Sequence, residues 1–222
     1  RQSGMTGTCL VLISDDAQRT MLTHLGVASE IDYAHVNEQH LKQSRYMYIE
    51  GYLFDSERAT NTVFEAIETA RKNKIQIALT ASDAFCIERH KELFLKLLAH
   101  DIDILFANAQ EAQALTDTET TQQAVSALAG MCGNVVVTEG EHGSLLHFGG
   151  SEIRVKPHLI SAIDTTGAGD SYAAGLLFGL ANNYTLEQSG NIASFFSARV
   201  VSQIGPRYTG NISSELMSLE LG

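Results

Sequence analysis

From Tyr46 to Thr138, short apolar runs alternate with stretches of helical periodicity, and that alternation constrains the fold more than any other feature. Tyr46–Ile49 is strand-like and ends at Gly51. Glu57–Lys72 places Ala59, Val63, Ala66, Ile67 and Ala70 on one helical face. Ile75–Leu79 is a second strand, Glu88–Leu98 a second helix, and Ile102–Phe106 a third strand. Helical stretches at Ala109–Leu115 and Thr121–Leu128 lead to a strand at Val135–Thr138. Strand–helix–strand order of this kind predicts a three-layer α/β/α domain with a mostly parallel central sheet.

The pattern changes on both sides of that block. Thr8–Ser14 and Gln18–Leu22 read as two strands around the turn Asp15-Asp16. Gly143–Phe148 and Glu152–Val155 flank Gly149-Gly150, which predicts an antiparallel hairpin. Two helices, Ala168–Ala181 and Leu186–Gln203, follow. In open α/β sheets ligands bind beyond the carboxyl ends of strands. That directs attention to Ala81–Cys86, Asn108–Glu111, Thr138–Gly143 and the helix entry at Ala168.

Length and composition fit this architecture. The chain has 222 residues, 44% of them apolar, with no repeat and no Gly/Ser linker, so one domain over 1–222 is expected. Net charge is −11, from 15 basic and 26 acidic residues. The basic residues are scattered, which argues against binding nucleic acid or a membrane surface. Three cysteines, none in a Cys-x-x-Cys pair, suit reduced thiols in a cytoplasmic protein. No apolar run reaches transmembrane length, and no signal peptide is visible. Arg1-Gln2-Ser3-Gly4 runs straight into strand-like sequence, so the chain is not expected to begin at a natural start.

The densest chemistry lies in Asp164-Thr165-Thr166-Gly167-Ala168-Gly169-Asp170. Glycines before a helix let the backbone turn tightly and aim free N–H groups outward, where the helix dipole adds to an anion site. A carboxylate there would repel a phosphate. It makes chemical sense if Asp170 takes a proton from an attacking hydroxyl while the N–H groups hold a transferring phosphoryl group. An aspartate in a first helical turn also favours the dipole and needs no chemistry, so spacing alone leaves both readings open. No Gly-x4-Gly-Lys-Ser/Thr run exists, and Tyr172 stands where a dinucleotide fingerprint needs its third glycine.

The same run, continued by Ser171-Tyr172-Ala173-Ala174-Gly175, resembles the C-terminal signature of the PfkB (ribokinase-like) carbohydrate kinases. Asn108-Ala109-Gln110-Glu111 resembles that family's Asn-x-x-Glu motif, and Thr138–Gly143 its Thr-x-Gly-x-x-Gly loop. Thr6–Met21, Tyr48–Phe54 and Asp101–Asn108 look like the bacterial adenosine-kinase-like branch. The resemblance spans nearly the whole chain. It finds no counterpart here for the family's N-terminal part, which carries a glycine-rich substrate motif and a β-sheet lid.

The resemblance implies an ATP-dependent kinase acting on a small-molecule hydroxyl, most readily adenosine or a related nucleoside. Asp170 would be the base, with Gly167, Ala168 and Gly169 forming the anion hole. Glu111 would help hold Mg²⁺ through water, and Asn108 would face the phosphates. Thr138, Gly140 and Gly143 would run along the nucleotide, with Ser194 facing it from the last helix. Asp164 and Thr166 match positions that bind a monovalent cation such as K⁺ in some members, with Gly205 opposite. A plain turn brace would explain the same residues. The eight histidines show no metal-ligand spacing, and Asp83 and Arg89 read as solvated helix charges. A sugar kinase of the same family and a non-catalytic nucleotide-binding module are the competing readings, and a homodimer is left open.

Overall fold

The computed structural model describes residues Gly4–Leu219. The start at Arg1–Ser3 discussed above lies outside them. Their backbone groups into two compact units. The first holds the chain up to Cys9, Thr23–Val137 and Leu146–Glu152. The second holds Leu10–Leu22, Thr138–Leu145 and the chain from Ile153 onward.

Two strands open the chain, β1 (Thr8–Ile13) and β2 (Arg19–His24), and pair as a small two-stranded sheet. The short helix α1 (Glu38–Lys42) precedes β3 (Tyr46–Glu50), α2 (Glu57–Lys72), β4 (Gln76–Thr80), α3 (Ala84–His100) and β5 (Ile104–Asn108). Helices α4 (Ala109–Thr116) and α5 (Thr121–Ala129) lead to β6 (Asn134–Thr138). Then come β7 (Ser144–Phe148), β8 (Ser151–Val155), α6 (Ala168–Ala181), α7 (Leu186–Val201) and α8 (Ile212–Ser218).

Strands β3 to β8 form one six-stranded sheet in sequence order. β3, β4 and β5 run parallel, with Ile49 opposite Leu79 and Leu79 opposite Leu105. The helices between them supply the long crossovers that parallel neighbours need. Central residues of β4 and β5 are buried on both faces, which is why these strands are continuous apolar runs rather than alternating ones. The links after β6 and β7 are too short for a parallel crossover, so these strands turn back. Gly149 and Gly150, with φ of 56° and 84°, make the two-residue hairpin turn. The mostly parallel sheet with an antiparallel hairpin is the architecture expected from the sequence.

Within the first unit, α2 is capped by the Ser56 hydroxyl, which accepts from the Ala59 N–H at 3.3 Å. It buries the face carrying Ala59, Val63, Ala66, Ile67 and Ala70. Phe54 meets Phe94 edge to face at 5.2 Å. α3 starts four residues before the expected Glu88, because Asp83 caps it by accepting from the Cys86 N–H at 2.6 Å. Arg89 is not a free surface charge. With His90 it holds the Asp55 carboxylate, at 2.9 and 2.7 Å from Arg89 and 2.7 Å from His90. The Arg89 contact, helped by His90, outweighs burial, which opposes the charge, and holds the Asp55 carboxyl below its usual range. The cysteines are free, and burial pushes the Cys86 thiol up to about 12. Among the described residues no helix is long and apolar enough to cross a membrane.

The second unit is built on α6 against α7. A Cβ at Gly175 would stand 2.7 Å from the Ala193 Cα, and one at Gly179 would stand 2.5 Å from the Ser189 hydroxyl. Those two glycines let the helix axes approach closely, and the contact fixes where the first turn of α6 sits.

Candidate active site

The turn into α6 is shaped by three local constraints. Gly167 occupies the N-cap with φ 82° and ψ 4°, a left-handed conformation that suits glycine. A Cβ there would also lie 2.5 Å from the Pro206 carbonyl oxygen. Asp164 is buried and braces the turn from below. Its Oδ1 accepts from the Thr166 N–H at 2.9 Å and the Thr166 hydroxyl at 2.6 Å, and its Oδ2 accepts from the Gly205 N–H at 2.8 Å. Burial opposes the charge on Asp164, but those donors and the nearby Arg19 outweigh it and keep the carboxyl below its usual range. The three residues expected to bind a monovalent cation therefore meet as a hydrogen-bonded brace.

The brace leaves the end of α6 open. The Ala168 N–H bends back to the Thr165 carbonyl at 3.3 Å, and the Ser171 N–H begins the helical pattern by donating to Gly167 at 2.9 Å. The N–H groups of Gly167, Gly169 and Asp170 have no acceptor among the described residues. Three free donors at a helix N-terminus form an anion site. Asp170 is exposed in that first turn. Arg19 adds a positive charge the sequence did not reveal: its guanidinium donates to the Thr165 hydroxyl at 3.2 Å.

Beside the turn lies a cavity of about 290 Å³. Thr138, Gly140, Gly143, Ala168 and Ser194 all line it, so five residues singled out in the sequence from three separate segments converge here. Gly143, at φ 93°, admits no side chain, since a Cβ would come within 2.1 Å of the Val155 carbonyl oxygen. Ser194 does not offer its hydroxyl to the cavity freely. It donates to the Lys156 carbonyl at 3.0 Å and accepts from the His158 N–H at 3.2 Å, tying the segment after β8 to α7. Asp170 borders a second, larger cavity of about 480 Å³, lined by apolar residues of α6, α7 and α8 together with Arg207 and Tyr208.

Asn108 and Glu111 belong to the first unit and form a reciprocal cap on α4. Glu111 accepts from the Asn108 N–H at 2.8 Å and from its side-chain amide at 2.7 Å, while Asn108 Oδ1 accepts from the Glu111 N–H at 2.8 Å. Glu111 is buried. A buried carboxylate fixed this way by donors suits a cation held through water rather than a stripped one. Among the described residues no group of three or more His, Cys, Asp or Glu could hold a metal alone.

Residues 1–212 match the pfkB family carbohydrate kinase. The chain is 36% identical to the solved adenosine kinase from Sinorhizobium meliloti, with a TM-score of 0.93, covering 96% of this chain and 66% of that one. It is 31% identical to a probable sugar kinase protein from Rhizobium etli CFN 42, also at 0.93, covering 96% and 65%. It is 27% identical over 218 residues to an adenosine kinase of Saccharomyces cerevisiae, covering 91% of this chain and 63% of that protein. The chain thus spans about two thirds of each of these three relatives.

Proposed function

Since the chain belongs to the pfkB family of carbohydrate kinases, we propose that the protein transfers the γ-phosphate of ATP to a hydroxyl of a small molecule, adenosine or a related nucleoside. The observation that carries this reading is the turn into α6, where free N–H groups of Gly167, Gly169 and Asp170 stand beside an exposed carboxylate. Asp170 accepts the proton of the acceptor hydroxyl as its oxygen attacks the γ-phosphorus in line. The N–H groups, with Arg19 close by, hold the negative charge that develops on the phosphoryl oxygens. Thr138, Gly140 and Gly143 line the cavity that takes the nucleotide. Mg²⁺ would supply positive charge to offset the phosphates; Glu111 would hold it through water, and Asn108 would face the phosphates.

The acceptor reading rests on likeness and charge. The adenosine kinases above favour a nucleoside, and the scattered basic residues offer no pocket for a sugar phosphate. The likeness to a probable sugar kinase keeps an unphosphorylated sugar as the second reading. A screen of hydroxyl compounds for ADP release separates them. Adenosine should be turned over, and fast turnover of fructose 6-phosphate with none of adenosine would overturn the nucleoside assignment.

The magnesium role has its own test. Glu111→Gln keeps the side-chain volume but removes the charge and one cap acceptor. The Mg²⁺ concentration for half-maximal turnover should rise several-fold, about 1 kcal/mol of lost cation binding. An unchanged Mg²⁺ dependence would leave Glu111 a helix cap alone.

A further inference from the structure

Four hydroxyls on the wall of the 290 Å³ cavity are already engaged within the protein. Tyr172 is bonded to Ser144 at 2.5 Å, Ser197 to the Ala168 carbonyl at 3.0 Å, Thr165 to the Ala17 carbonyl at 3.0 Å, and Ser194 to the Lys156 carbonyl at 3.0 Å. Thr138 and Glu141 have free polar groups, but both sit on the Thr138–Gly143 segment already proposed to run along the nucleotide. His158 differs from all of these. It lines the cavity and is half-buried, and neither ring nitrogen has a partner among the described residues.

The His158 ring is nevertheless held in place. Its backbone N–H is fixed by Ser194 at 3.2 Å, and its face or edge meets Phe195 at 5.4 Å and 83°. Phe195 is in turn covered by the Arg199 guanidinium at 4.9 Å. Leu159, Ile160 and Ala198 make the neighbouring wall apolar. A positioned ring with unused hydrogen-bonding atoms in an otherwise apolar wall suits a flat heterocycle with polar edges, and offers little to a phosphate. Burial, helped by Arg199, pushes the His158 pKa down, which favours the neutral ring with one donor and one acceptor.

We infer that His158 hydrogen-bonds the edge of the donor nucleotide's base and so selects a nucleotide over a bare polyphosphate. This rests on the nucleotide reading of the cavity, and it assigns a specificity-determining residue to the base end. His158→Phe is the test, because it keeps the aromatic contact with Phe195 and removes both ring nitrogens. Binding of ATP and of inorganic tripolyphosphate is measured by calorimetry with Mg²⁺ for the wild type and the variant. The Kd for ATP should rise about tenfold, the loss of one hydrogen bond to a buried group, while that for tripolyphosphate stays within about twofold. If both ligands weaken together, the residue supports the fold or the phosphates, and the inference fails. If the wild type binds ATP and the variant binds it equally well, the inference fails while the nucleotide site stands. A wild type that binds no ATP overturns the nucleotide reading and this inference with it.

Discussion

Asp170→Asn should bind ATP as well as the wild type or better, while kcat falls by about 10²–10⁴, the usual range for loss of a general base. The substitution keeps the side-chain volume and the start of α6. It removes the proton acceptor and also the negative charge facing the phosphates. Melting temperature, ATP affinity and kcat measured on one purified variant separate catalysis from capping. If Asp170 only complements the helix dipole, stability drops by up to about 1 kcal/mol and turnover is largely intact.

Gly167→Ala should lower both stability and turnover. A residue other than glycine at φ 82° carries about 1–2 kcal/mol of backbone strain, and the added Cβ would meet the Pro206 carbonyl oxygen at 2.5 Å. The turn must shift to relieve that contact, and the free N–H groups shift with it. Displacing one such donor costs about 10²–10³ in kcat. Thermal unfolding and steady-state kinetics check the two effects. A variant with the wild-type melting temperature and kcat would show that the left-handed turn is not needed to aim those donors.

The parallel sheet was legible because its strands are apolar runs of strand length separated by helices with one apolar face. The hairpin at Gly149-Gly150 was legible because two adjacent glycines between short strands leave few other conformations. The short 3₁₀ turns at Gly26–Glu30, Tyr33–His35 and Gly51–Asp55 and the helices α1 and α8 left no periodic signal, since one or two turns are too few to show one. The early start of α3 depended on Asp83, whose capping role follows from a hydrogen bond rather than from apolar spacing.

At the site, the glycine turn declared itself through Gly167 and Gly169, while its supports did not. Arg19 reaches Thr165 across 146 residues of sequence, and nothing in a short strand distinguishes an arginine that does this from a solvated one. Asn108 and Glu111 show that one spacing can serve two roles. The spacing that suggests a cation site is also that of a reciprocal helix cap, and here the cap is formed. His158 stands in no motif and at no metal-ligand spacing, so nothing in the sequence around it marks a binding role. Its place at the cavity depends on α7 packing behind it.

The central claim is that this chain carries a phosphoryl-transfer site, and product stoichiometry tests it most directly. The purified protein is incubated with ATP, Mg²⁺ and adenosine, and ADP and phosphorylated adenosine are quantified together by chromatography. The account predicts that the two appear in equal amounts and that both form about 10²–10⁴ times more slowly with Asp170→Asn. ADP formed without a phosphorylated acceptor, or equal turnover by the Asp170→Asn variant, would contradict it.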